Sequence, residues 1–189
     1  KAMFWGRKIV REYELFYKKY ISGFENLQLV TTGSLLGVRE SRRIVGEYEM
    51  NYKDFKIFRK FPDQIAVFGK AIDLHPHNSN KEEYLMHRER FDRKDVIPEG
   101  EYYGIPYGVL VPKGIKNLWV AGRCVSTDIM VQAAIRVQPA CVMEGQAAGT
   151  AAVQSINTGR SAKEINTQNL SKHSVSRELT YRKINCLHL

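Results

Sequence analysis

The chain has 189 residues, 43% hydrophobic and 26% charged, which is ordinary for a globular protein of one domain, or one domain with a small companion. No apolar run is long enough to span a membrane, and residues 1–21 mix charge among their apolar positions as no signal peptide does. The net charge of +9 suits either a solvated basic surface or an anionic partner, a polyanion or a phosphate-bearing cofactor.

Three cysteines, Cys124, Cys141 and Cys186, have no C-x-x-C spacing and are odd in number. That argues against a disulfide framework or a zinc site and for a reducing, cytoplasmic compartment. No nucleic-acid motif is present and the arginines are scattered among apolar elements, so nucleic acid is excluded as a partner, as is a membrane.

Residues 3–20 carry Phe4, Ile9, Tyr13, Phe16 and Tyr20 at three-to-five spacing with charges between, the pattern of an amphipathic helix ended by Ser22 and Gly23. Residues 27–33 and 43–50 read as strands, joined by the glycine-flanked turn GSLLGVRESR with Arg39 and Arg42, and Arg43 just beyond. Asn51 is placed to cap one helical turn. An apolar strand then breaks at Gly69 and a second runs to Pro76, while residues 78–95, dense in charge and without periodicity, read as loop. YYGIPYGVLVP reads as a strand, and Lys113-Gly114 turns into another at 118–121.

The last strong element starts at Pro139, since proline suits a first helical turn, and stops at Asn157-Thr158-Gly159. Cys141, Gly145, Ala148, Gly149 and Ala152 share one of its faces. Each interior glycine costs about 1 kcal/mol relative to alanine. The glycine face is therefore expected to lie against a sheet or a cofactor. Residues 160–189 form a polar tail.

LWVAGRCVS raises a chemical question, because a strand that merely filled a core gains nothing from Gly122 and Arg123 at its tip. In α/β folds ligands sit beyond the carboxyl ends of strands. A glycine there lets a ligand approach the backbone, and a neighbouring helix start offers N–H groups and a positive dipole end. Arg123 and Arg136 add full charge. A phosphate-bearing cofactor with an anionic reduced form needs such a place.

GIPYGVLVPKGIKNLWVAGRCVS followed by AAIRVQPACVMEGQAAGTAAV closely resembles the C-terminal portion of the FAD-dependent oxidoreductase family, grouped with the fumarate reductase-like and glutathione reductase-like flavoproteins. GVRESRRIVGEYEM, FPDQIAVFG and AIDLHPH resemble that family's middle segment, in the same order. The resemblance implies an α/β (α+β) fold: a partial FAD/NAD(P)-binding fold with mixed-sheet substrate-domain strands and a C-terminal strand and helix of the nucleotide domain. Residues 1–113 would be a substrate or cap-like region with the N-terminal helix, 114–158 the last strand and helix of the FAD-binding domain, and 159–189 the tail.

It further implies that Gly122 and Arg123 contact the ribityl and pyrophosphate region of FAD. The helix start at Gln138 and Pro139 would face the flavin N1–C2=O edge, with Arg136 beside it and Ser126 within hydrogen-bonding reach. Ser126 and Thr127 equally suit capping of the next turn. Arg39 and Arg42 are candidates for holding an anionic substrate or FAD, set against a role as solvated turn arginines. Asp73, His75 and His77 fall on one strand face; metal binding is set aside because Pro76 interrupts it, and His75 is the candidate proton shuttle of a substrate cleft. Cys124 reads as a small buried hydrophobe rather than a reactive thiol.

The family's G-x-G-x-x-G fingerprint does not occur among the 189 residues. The expectation is therefore the C-terminal part of a longer enzyme that transfers hydride between a small organic substrate and flavin. Its missing N-terminal half would be its partner, and FAD would bind this segment alone weakly or not at all. The alternative is a truncated or degenerate flavin-fold module without independent activity.

Overall fold

A computed structural model describes residues 1–75, 80–89 and 96–170. Pro76, His77, Cys186, the ends of the expected loop 78–95 and residues 171–189 lie outside that set. The chain divides into two compact units, Lys1–Arg39 and Glu40–Leu189.

The first unit is built on α1, Ala2–Tyr20, as the periodicity predicts. Lys8 to Glu12 (3.9 Å) and Glu14 to Lys18 (3.0 Å) are i,i+4 pairs, and Lys18 and Lys19 complement the negative C-terminal end. Its aromatic stripe is wet: Phe4, Tyr13, Phe16 and Tyr20 are all exposed, and Glu14 is the helix's buried residue. Residues 27–31 with Val10, Tyr13, Glu14 and Tyr17 line a groove of about 290 Å³. The strand expected at 27–33 does not form, because no neighbouring strand hydrogen-bonds with it.

The second unit holds the core, where Met50, Phe55, Tyr103, Ile105, Leu110 and Ile135 are almost wholly buried. Asn51 caps α2, Tyr52–Lys56, in a capping box with Asp54, as its position in the sequence suggests. The Asp54 carboxylate also accepts from the Tyr48 hydroxyl (2.7 Å) and Arg59 (2.8 Å). The sheet has two antiparallel strands, β1 (Gln64–Phe68) and β2 (Tyr103–Pro106), with a register irregularity between Gln64 and Ala66. The Gln64 side chain lies over Gly104, where a Cβ would stand 2.3 Å from Oε1 and would have to move that side chain aside. A 3-10 helix, Tyr107–Leu110, takes over where YYGIPYGVLVP was expected to stay extended.

Three further expected strands are absent. Residues 43–50 stay extended but bond alternately to two segments, Glu47 N–H to Val111 O (2.8 Å) and Met50 N–H to Ser126 O (3.1 Å), so only isolated bridges form. Residues 118–121 make one such bond, Val120 N–H to Leu110 O (2.9 Å). Residues 70–75 form no ladder. Conversely, α3 (Lys81–Arg88) occupies part of the expected loop. The Asn80 side chain accepts from Glu83 N–H, Glu82 and Glu83 fill its first turn, and His87 and Arg88 its last; caps and dipole charges support it where an apolar stripe is missing.

α4, Ile129–Ile135, begins at Asp128, whose two oxygens accept from Val131 N–H (2.8 Å) and Tyr52 N–H (2.7 Å), joining α4 to α2. α5, Gln138–Thr158, has the ends that Pro139 and Gly159 foretell. Its orientation corrects the expectation about its small-residue face. Ala140, Glu144, Ala147 and Ala151 are the buried residues, and β1 packs against the helix. Gly145 and Gly149 are exposed, with nothing within 4 Å of where a Cβ would stand.

Candidate functional site

Gly122 adopts φ +83, a conformation in which an L side chain meets its own carbonyl at a cost of about 1–2 kcal/mol. It opens a tight turn that closes through Val125 N–H to Gly122 O (3.3 Å). The turn lies on the first two turns of α5. Gly122 N–H donates to Glu144 Oε2 at 2.6 Å, and a Cβ on Gly122 would stand 3.8 Å from Cys141 Sγ, in ordinary contact. The turn and the helix start, which the sequence places together by analogy, are thus held together by a named bond.

The helix start is open. Its N-cap, Val137, supplies no side-chain acceptor, and Gln138 and Pro139 are exposed. First-turn N–H groups have no intrahelical partner; Pro139 has no N–H and Ala140 is buried, which leaves the N–H of the exposed Gln138 without a side-chain cap. Arg123 is exposed beside them in the turn.

Glu144 is the residue that sequence reasoning missed. It is completely buried, and its Oε1 has no hydrogen-bond partner among the described residues. Burial pushes its pKa up to about 8, with the Gly122 N–H a smaller opposing influence. At neutral pH it is mainly a neutral acid. The available signal was its position in CVMEGQAAGTAAV, four residues after Ala140 and three before Ala147, on the Ala140–Ala147–Ala151 stripe. Burial likewise raises the Cys141 thiol, Glu144 adds to this, and Arg123 opposes it; Cys141 stays protonated.

Arg136, which follows α4 two residues before α5, donates through NH2 to Asp73 O at 2.7 Å. His75 Nε2 is 3.6 Å from Asp73 Oδ1, and the His75 side chain is 64% exposed. Arg136, Asp73 and His75 therefore form a second cluster at the approach to α5. Arg42 is exposed in the same unit, and Arg39 is exposed at the end of the other.

The Ser126 hydroxyl is buried and accepts from Gly46 N–H at 3.0 Å, so it serves the internal frame. Tyr107 is structural too. Its hydroxyl donates to Ala162 O (2.8 Å) and accepts from Trp119 Nε1 (2.6 Å), and burial raises its pKa to about 12. Cys124 is half-buried, with its Sγ against Ala121 O. Among the described residues no group of three or more His, Cys, Asp or Glu side chains could hold a metal ion, and no helix is long and apolar enough to cross a membrane.

A family model described as FAD dependent oxidoreductase matches residues 1–173. No curated protein and no solved structure matches the chain.

Proposed function

The chain belongs to the FAD dependent oxidoreductase family, and from that premise we propose that the Gly122 turn and the start of α5 receive one edge of FAD. FAD is the cofactor of the family, and when bound it supplies the hydride-accepting centre, here for a small organic substrate. The residues present fit it. The left-handed Gly122 carries no side chain, the α5 start has no side-chain cap on its N–H groups, and Arg123 is exposed in the same turn as Gly122. The observation that carries the reading is the 2.6 Å bond from Gly122 N–H to Glu144, which couples turn and helix.

On this reading Arg123 meets the phosphate-bearing part of the cofactor. The α5 start stabilises negative charge at the flavin edge by its dipole. Arg136 acts less directly than its charge suggests, orienting the Asp73 backbone and with it His75. His75, exposed and beside a carboxylate, is the group to hold or pass a proton at Nε2. Arg42 is an exposed cation offered to an anionic substrate group. Residues 114–158 then complete a FAD-binding domain and 1–113 contribute to the substrate side.

A second reading, a module without independent activity, is favoured by the absence of G-x-G-x-x-G from the 189 residues. Both readings predict weak binding of FAD by the chain alone. Amide NMR with millimolar FAD tests the site: shifts should concentrate at Gly122, Arg123 and residues 136–140. Shifts elsewhere, or none, would overturn the assignment. Hydride transfer from a candidate substrate to bound flavin, seen as bleaching of the flavin's visible absorbance, would exclude the second reading.

A further inference from the structure

Three arginines that stand far apart or on different elements in the sequence leave the backbone at one place in the fold. Gly46 makes this possible. A Cβ there would stand 2.6 Å from Ser126 Cβ and 2.9 Å from Gly108 O, so glycine lets residues 44–46 press against 124–126. Two hydrogen bonds fix the approach, Ile44 N–H to Cys124 O at 2.9 Å and Gly46 N–H to Ser126 Oγ at 3.0 Å. Arg42 and Arg43 lie immediately before the donor of the first bond, and Arg123 immediately before its acceptor. All three side chains therefore start beside the Gly122 turn.

Their charge is poorly compensated. Arg43 donates to Glu40 Oε1 at 3.0 Å, and its side chain is 25% exposed. Arg42 and Arg123 are exposed and have no carboxylate partner among the described residues. Glu144, the acid bonded to this turn, is buried, and burial favours its neutral form. Three guanidiniums and the Glu40 carboxylate thus leave two positive charges unanswered. Backbone bonds that hold like charges together work against their repulsion, and an anion seated among them removes it.

We propose that Arg42, Arg43 and Arg123 form one site for a dianion carrying two neighbouring oxyacid groups. A planar guanidinium offers paired N–H donors that match phosphate or carboxylate oxygens. Arg43, held by Glu40, is the oriented member, and the two exposed arginines close on the ligand from their separate segments. The site stands on the backbone bonds; its use rests on the flavin reading above. That reading gives Arg123 to the cofactor's phosphates and Arg42 to an anionic substrate group, and the tie between residues 44 and 124 makes the two roles compete for one place. The diphosphate of FAD and a dianionic substrate share the required chemistry.

The experiment titrates the full chain with inorganic pyrophosphate and, separately, with malonate, reading arginine Nε–Hε signals by NMR and affinity by calorimetry. One saturable event should move the signals of Arg42, Arg43 and Arg123 together. Arg43→Gln and Arg123→Gln should each weaken it about tenfold, and the double variant by less than about a hundredfold, since both residues grip one ligand. Glu40→Gln, which removes the competing carboxylate, should strengthen it about threefold. Arg7→Gln removes an exposed charge of the same sign from the other unit and should leave the affinity within about twofold. The tighter anion names the source, pyrophosphate the cofactor and malonate the substrate.

An anion that moves Arg123 alone overturns the site, as does binding that never saturates. So does an Arg7→Gln loss as large as the Arg43→Gln loss, which would reduce the effect to net charge. FAD that displaces the bound anion upholds the site and the flavin reading together. A saturable anion at all three arginines, with FAD leaving residues 122 and 123 unmoved, upholds the site and sinks the flavin reading instead.

Discussion

The two long helices each bury one glutamate, and their surroundings treat it in opposite ways. On α1, Glu14 is covered by local neighbours and gripped by Lys18 at 3.0 Å and by Arg11. The hydrogen bond from Lys18, then that from Arg11, outweighs the effect of burial and holds its carboxyl below the usual glutamate range. On α5, Glu144 lies in the core with one backbone N–H for company, and burial wins. Burial alone therefore does not decide a carboxyl's charge; what decides is whether a cation arrives with it. One helix stores an ion pair, the other a proton.

The hardest way to break the comparison is to add a second acid to the α5 face. Ala151 is wholly buried two turns beyond Glu144, with no basic partner on the stripe. Ala151→Asp should cost about 3 kcal/mol or more, or leave the second unit unfolded, as measured by urea denaturation. A loss below about 1 kcal/mol would show that this face is not core.

Next in size is the pH dependence that Glu144 imposes. Its folded pKa, about 8, exceeds the ordinary 4.5. Its contribution is therefore complete below pH 4.5, declines between 4.5 and 8 by up to about 1.4 kcal/mol per pH unit, and is absent above. Glu144→Leu should flatten that slope. The variant lies below the parent at pH 5, where it lacks the bond to Gly122, and above it at pH 8, where the parent carries the buried charge. Denaturation curves that never cross would contradict the assignment.

These contrasts also explain what could be read in advance. The ends of α5 were legible because Pro139 and Gly159 act locally, through a missing N–H and a positive φ of 67. Its orientation was not, since an alanine–glycine helix has little contrast between faces and both candidate stripes look alike until β1 takes one. Glu144 was hidden for the same reason. Residues 118–121 had the composition of a strand but no partner beyond Leu110, and pairing is not written in the segment that seeks it. Among the site residues, Gly122 announced itself by its place after an apolar run. Ser126 read as a possible ligand contact because nothing in the chain order reveals Gly46 lying against it.

Smaller, and opposite in sign, is the effect at the open face of α5. Gly145→Ala should stabilise the chain by about 1 kcal/mol, because the added methyl meets nothing within 4 Å. Thermal melting checks this, and a destabilised variant would mean that the face is covered in solution.

The smallest effect belongs to Glu14, and its sign sharpens the comparison most. A lowered folded pKa contributes stability above the ordinary 4.5 that is lost as pH falls through the folded value, the reverse of Glu144. Glu14→Gln should therefore weaken α1 at neutral pH and change little once the parent's own carboxyl is protonated. Since Arg11 is largely exposed and Lys18 partly so, the loss should shrink as salt is raised from about 0.05 to about 0.5 M. Amide exchange along α1 is the suitable readout, because it reports local opening that a global melt would average away. Glu144 should show no comparable salt dependence, having no cation to screen at its carboxyl oxygens. A Glu14 effect indifferent to salt would mean that packing, and not the ion pair, holds that glutamate in place.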